Sequence, residues 1–208
     1  GESVVMSQLY RKMIDPLVSP QSEINGQRYG GKAVLMQSLN PEYRDLKFTK
    51  ADKDGKIIEH GEIVLPYHEA ESSIQILGAK ERGLKIKLID RRNNKIVDVE
   101  KVLGDDIGNS FGNLGELYSA LSTITLGKTG KARYQIGIVN TRYPRTRPND
   151  LGILGLRGFG SKESGNVAQV NAMDVLNVYE GDYDIDKSDY FWMQSETVFN
   201  HINESNHR

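Results

Sequence analysis

The 208-residue chain contains no cysteine. That absence removes disulfide frameworks, thiol nucleophiles, thiolate zinc sites and cysteine-held iron-sulfur clusters together, and it leaves the compartment open. No run of about 18 apolar residues occurs, so no helical membrane span is predicted and no membrane partner is expected. Glu2 stands where a secretory leader is basic and Val4 to Met6 is too short for its apolar core, so no signal peptide is predicted; Gly1 in place of methionine predicts a start made by processing or cloning. A surplus of charge is also missing. With Lys+Arg 27 against Asp+Glu 28 the formal net charge is -1, which excludes capture of nucleic acid by overall charge and leaves only a local basic patch for that purpose.

Catalytic signatures are wanting as well. Gly127-Lys128 and Gly130-Lys131 suggest a phosphate loop, but Ser122 and Thr125 occupy the positions of its first glycine, and Ala132 follows Lys131 where a magnesium-binding hydroxyl is needed. The carboxylates Asp182, Asp184, Asp186 and Asp189 alternate as in a calcium loop, yet Lys187 replaces the turn glycine and Met193 the closing glutamate, so a solvated acidic turn is expected. His60, His68, His201 and His207 never take HExxH spacing, and no GxSxG elbow surrounds a serine. Neither enzyme activity, nor cofactor, nor metal is therefore expected.

What the chain does have is segregated charge. Between Gly127 and Lys162 eight bases face only Asp150, about seven net positive charges, while Glu163 to Arg208 carries about seven net negative ones. In the basic stretch Lys128, Lys131, Arg133, Arg142, Arg145, Arg147 and Arg157 are interleaved with Tyr143 and other aromatics. These are the candidate interaction residues, with Asp182, Asp184, Asp186 and Asp189 as an acidic counter-surface. A basic face on one copy meeting an acidic face on the next is a heterologous contact that closes into rings or extends as tubes. The same arginines and tyrosines also suit phosphates and bases of a single strand.

Local patterns predict the elements. Val5, Leu9 and Met13 recur every four residues, beside Met6, Tyr10 and Ile14, predicting an amphipathic helix that ends at Asp15-Pro16 and docks on its own core or on a neighbouring subunit. Residues 19–31 read as a loop, and Lys32 to Gln37 as strand or buried turn. Asp52-Lys53-Asp54-Gly55 predicts a hairpin between Leu46 to Lys50 and Lys56 to Pro66. A second is predicted from Leu84 to Val102 through Arg91 to Asn94, with Lys85 and Lys87 on an open face. Asn113 with Glu116 predicts a capped helix stopped at Gly127. Arg133 to Val139 alternates as a strand, Arg142 to Pro148 is too proline-rich for regular structure, and the glycines from Leu151 to Gly165 predict a mobile or closely approached backbone. Val167 to Val178 should enter the core as strand or helix. Tyr179 to Asp189 reads as an acidic loop, and residues 200–208 as an extended tail.

These elements predict an α+β fold: one mixed domain over 1–194, mainly antiparallel hairpins with two or three helices and long Gly/Pro-rich loops, then a C-terminal tail over 195–208. The expected function is a structural or assembly subunit that self-associates or joins other subunits, of the kind found in a virus or phage particle. A nucleic-acid-binding module built on the stretch 127–162 is the alternative. Cytoplasm and virion both suit the sequence.

Overall fold

The structure, a computed structural model, describes residues 23–38, 40–105, 107–141, 152–178 and 187–205. The helix predicted from Ser3, the proline-rich segment 142–148 and the acidic segment 179–186 lie outside the described residues.

The loop expected over 19–31 contains a hairpin instead, β1 (Glu23–Ile24) with β2 (Gln27–Arg28). Asn25 (φ 50) and Gly26 (φ 77) supply the two left-handed residues that a tight antiparallel turn demands. The apolar run that follows is a strand, β3 (Gly30–Gln37). The Asp52–Gly55 turn joins β4 (Lys50–Ala51) to β5 (Ile57–Glu59), with Gly55 at φ 83 and Asp52 Oδ1 accepting the amides of Asp54 and Lys56. This hairpin is shorter than its apolar flanks suggest. The downstream flank breaks at His60-Gly61 and resumes as β6 (Glu62–Leu65), which pairs elsewhere.

After β7 (Leu84–Lys85), β8 (Lys87–Asp90) and β9 (Lys95–Asp98) form the second predicted hairpin. Its return strand stops at Asp98, where α1 (Val99–Leu103) begins. The face expected to be open is covered at Lys87, whose ammonium is buried between Asp98 (2.5 Å) and Glu196 (2.8 Å). Beyond α2 (Ile107–Ser110), α3 (Leu114–Ser122) starts where Asn113 Oδ1 accepts the Glu116 amide at 2.8 Å. Glu116 answers on the amide of Gly112 rather than that of Asn113. The helix ends before the predicted stop at Gly127: the amides of Thr123 and Ile124 turn to the carbonyls of Ala120 and Leu121, three residues back, and Thr125 then pairs with Ala132. Gly127 (φ 51) opens a separate 3-10 turn.

The remaining elements are β10 (Tyr134–Asn140), β11 (Gly152–Phe159), β12 (Val167–Val170), α4 (Ala172–Val178), β13 (Lys187–Phe191), β14 (Gln194–Ser195) and α5 (Glu196–Ser205). Hydrogen bonding runs β11-β6-β12-β3-β13-β10, and β10 pairs again with β11, so six strands close into a barrel with β8 and β9 attached beside β10. β11 with β6 and β12 with β3 are parallel, and the other pairs in this sheet are antiparallel. Mixed sheets with short helices are compatible with the α+β class. Closure satisfies the backbone groups that an open sheet leaves at its edges.

Two further expectations are overturned. The loop predicted through Asp189 gives way to β13, a wall strand between β3 and β10, and the tail predicted over 195–208 begins in β14 and is helical from Glu196 to Ser205. Both follow from burial: Tyr190, Phe191 and Trp192, and then Val198, Phe199 and Ile202, join the main hydrophobic cluster with Ile63, Leu88 and Ile138. The glycine-rich run is an ordered strand, and Gly155 in it is closely approached. A Cβ there would collide with Gln135 Oε1 and come within 2.7 Å of Arg91 Nη2.

Candidate functional site

That close approach opens a polar cleft on the barrel wall. Gln135 on β10 crosses over Gly155 of the paired strand β11, and its amide donates to Glu62 Oε2 at 2.7 Å while its carbonyl accepts from Arg91 Nε at 2.6 Å. Arg91 continues to the carbonyls of His60 (2.5 Å) and Gly61 (3.1 Å). Glu62, almost wholly buried, also accepts from the Lys47 amide (2.7 Å) and Arg157 Nη1 (3.4 Å), and Arg157 reaches on to Asp45 at 2.9 Å. Burial works against the charge on Arg157, but Glu62 and Asp45 outweigh it and raise its pKa. For Arg91 burial wins over Glu62 and Glu59, and the pKa is lowered.

The cleft encloses about 330 Å³, with Lys131, Tyr118 and Tyr134 around these groups. Its polar atoms are largely committed to one another. The Glu62 carboxylate takes donors on both oxygens, and Tyr118 donates to Arg157 O at 2.6 Å. Such an arrangement braces β6, β10 and β11, and it offers a small polar ligand a rigid, charged wall.

The candidate basic residues are dispersed. Lys128 is exposed in its 3-10 turn, and Lys131 lines the cleft with Arg157. Arg133 points elsewhere, paired with Asp90 at 3.1 Å and lying 4.9 Å over the Tyr134 ring. Arg142, Tyr143, Arg145 and Arg147 lie outside the described residues, as do Asp182, Asp184 and Asp186. Asp189 is buried in the barrel wall with its carboxylate 3.6 Å from Lys32, which takes it out of an acidic outer surface.

A second concavity is larger and more apolar. About 770 Å³ of groove is lined by Ile74, Ile76, Leu77, Leu84, Ile86 and Met193 among others, with Lys80, Lys85, Glu100 and Asp105 also on its lining. Leu77 is 70% exposed there. Sequence reasoning passed over this stretch, although Ile74 and Ile76 alternate with polar neighbours; exposure of Leu77 has no signal in the sequence. No family model and no curated protein matches the chain.

Other buried polar groups complete the inventory. Glu69 is fully buried and accepts from Arg28 (3.0 Å), Ser72 (2.7 Å) and the Tyr190 hydroxyl (2.5 Å). Burial, and next the Glu69 charge, push the Tyr190 phenol far up. Asp174 accepts from Thr49 N, and burial outweighs that bond to raise its carboxyl to about 6. His60, whose Nδ1 donates to Ile153 O at 2.9 Å, is held at about 4 by burial despite that bond, with Arg91 adding to the depression. Among the described residues no group of three His, Asp or Glu is placed to hold a metal ion.

Proposed function

We propose that this chain is a non-enzymatic structural subunit that assembles with other copies or with other subunits, as components of a virus or phage particle do. The observation that carries the reading is the open apolar groove with Leu77 at its surface. Ile74, Ile76, Leu84, Ile86 and Met193 are buried in the floor of the groove, and Leu77 stands exposed beside it, a seat for an apolar side chain of a partner. The closed barrel adds to it, since closure leaves few strand edges for pairing and puts association onto side-chain grooves and loops. Of the segregated charge, the stretches 142–147 and 182–186, outside the described residues, are left to set which faces meet. The test is absolute mass by light scattering after size exclusion, at low and high salt, with absorbance at 260 and 280 nm. The expected result is a multiple of 23.3 kDa without excess absorbance at 260 nm, reduced to monomer by replacing Arg142, Arg145 and Arg147 with Glu. A monomer at every concentration and salt would overturn it.

A second reading, nucleic-acid binding, draws on Lys131, which lines the polar cleft with Tyr118 and Tyr134. It predicts a monomer that carries nucleic acid at low salt and sheds it at high salt.

A further inference from the structure

We propose that the apolar groove is the seat of the N-terminal stretch Val4–Ile14 of a second copy, so that copies are joined by exchanged arms. The inference rests on the assembly reading and names the contact. Residues 1–22 immediately precede the β1–β2 hairpin, and that hairpin is fastened to the groove wall: Asn25 Nδ2 donates to Leu77 O (3.2 Å), Gln27 Oε1 accepts the Leu77 amide (2.8 Å) and Gln27 Nε2 donates to Gln75 O (3.2 Å). The chain therefore leaves the described structure beside the groove.

The sequence upstream has the chemistry to fill it. Val5, Leu9 and Met13 at four-residue spacing, with Met6, Tyr10 and Ile14, form the stripe expected of a helix that lies in an apolar groove, and Arg11 and Lys12 on its polar side suit Glu100 and Asp105. The connector sets how far the stripe can reach. Asp15-Pro16 and Ser19-Pro20 predict an extended linker from 15 to 22, which at ~3.1 Å per residue spans roughly 25 Å. A spacer of that length lets the stripe reach the groove of a neighbour, and the assembly reading assigns it there, the arrangement of an exchanged arm.

The experiment uses two full-length variants, Leu9→Asp in the arm and Leu77→Asp in the groove, each checked for folding by circular dichroism and sized by light scattering. Leu77 is exposed enough that Asp there leaves the fold intact. Each variant alone should associate ~30-fold or more weakly, since each places a charge in an apolar contact. Mixed, they should recover a complex of two chains, because one retains a sound groove and the other a sound arm. Failure of the mixture to associate overturns the exchange and leaves the arm to its own groove. Variants that assemble like the parent overturn the arm contact while the assembly reading stands, whereas a parent that is monomeric throughout removes both.

Discussion

Replacing Asp174 with Asn should make the protein more stable at neutral pH and, at the same time, newly sensitive to acid. His60 immediately precedes Gly61, where a Cβ would collide with the Asp174 carboxylate. The Asp174 carboxyl has a pKa of about 6 in the fold against 3.8 in the unfolded chain. Between those values the native state holds one proton more, so this group's contribution is fully present below 3.8 and is lost as pH rises through 6, to a total of about 3 kcal/mol. His60 does the reverse, with about 4 in the fold against 6.5 unfolded: its contribution is present above 6.5 and is lost as pH falls through 4, again about 3 kcal/mol. From roughly pH 4 to 6 the two slopes oppose each other, and the parent should show little net pH dependence from this pair. Asn at 174 keeps the acceptor for Thr49 N and removes the buried charge. Urea melts at pH 4.5, 5.5 and 7 should show a gain of roughly 2 kcal/mol at pH 7, after allowing for an imperfectly paired amide, and almost none at pH 4.5. His60→Gln should unmask the opposite slope. A gain from Asp174→Asn that is the same at all three pH values would refute the reasoning.

Two further substitutions probe the packing around the buried polar groups. Gly155→Ala should cost about 2 kcal/mol in urea unfolding, because its Cβ displaces Gln135 and Arg91, and Gln135→Ala in the same chain should recover part of that loss. Tyr190→Phe removes the donor from Glu69 Oε2 inside the barrel wall and should cost about 2 kcal/mol, read from the urea midpoint with an unchanged slope.

Much of the local structure was legible. The turn at Asp52–Gly55 and the cap at Asn113 follow from side-chain chemistry within four positions, and the turn over Arg91 to Asn94, with Asn94 at φ 56, follows from the alternating stretches on either side of it. Asn25-Gly26 carries a turn signal of the same kind, inside a stretch whose glycines and polar residues read as a loop. Alternation identified Arg133 to Val139 as a strand, though not that β10 is buried on both faces. The glycines of β11 announced close approach without revealing the partner, since Gln135 and Arg91 arrive from two other strands or their turns. Acidic composition misplaced Asp189, because a carboxylate in a sequence reads as solvated until a cation such as Lys32 and the strands beside it are known. Arg133 and Arg157 looked free for a partner, and each is met by acids of this same chain.

Turns, caps, strand periodicity and the amphipathic character of residues 4–14 were thus determined by the sequence itself, because each is written in side chains a few positions apart. Barrel closure, the two parallel pairings, the bracing of Glu62 by Gln135 73 positions away and of Asp174 by Thr49 125 positions away, and the open groove around Leu77 were decided by the tertiary structure alone. Those features depend on which distant strands meet and on which charges are thereby removed from water, and hydrophobic burial, which drives that choice, carries no directional record in any short stretch of chain.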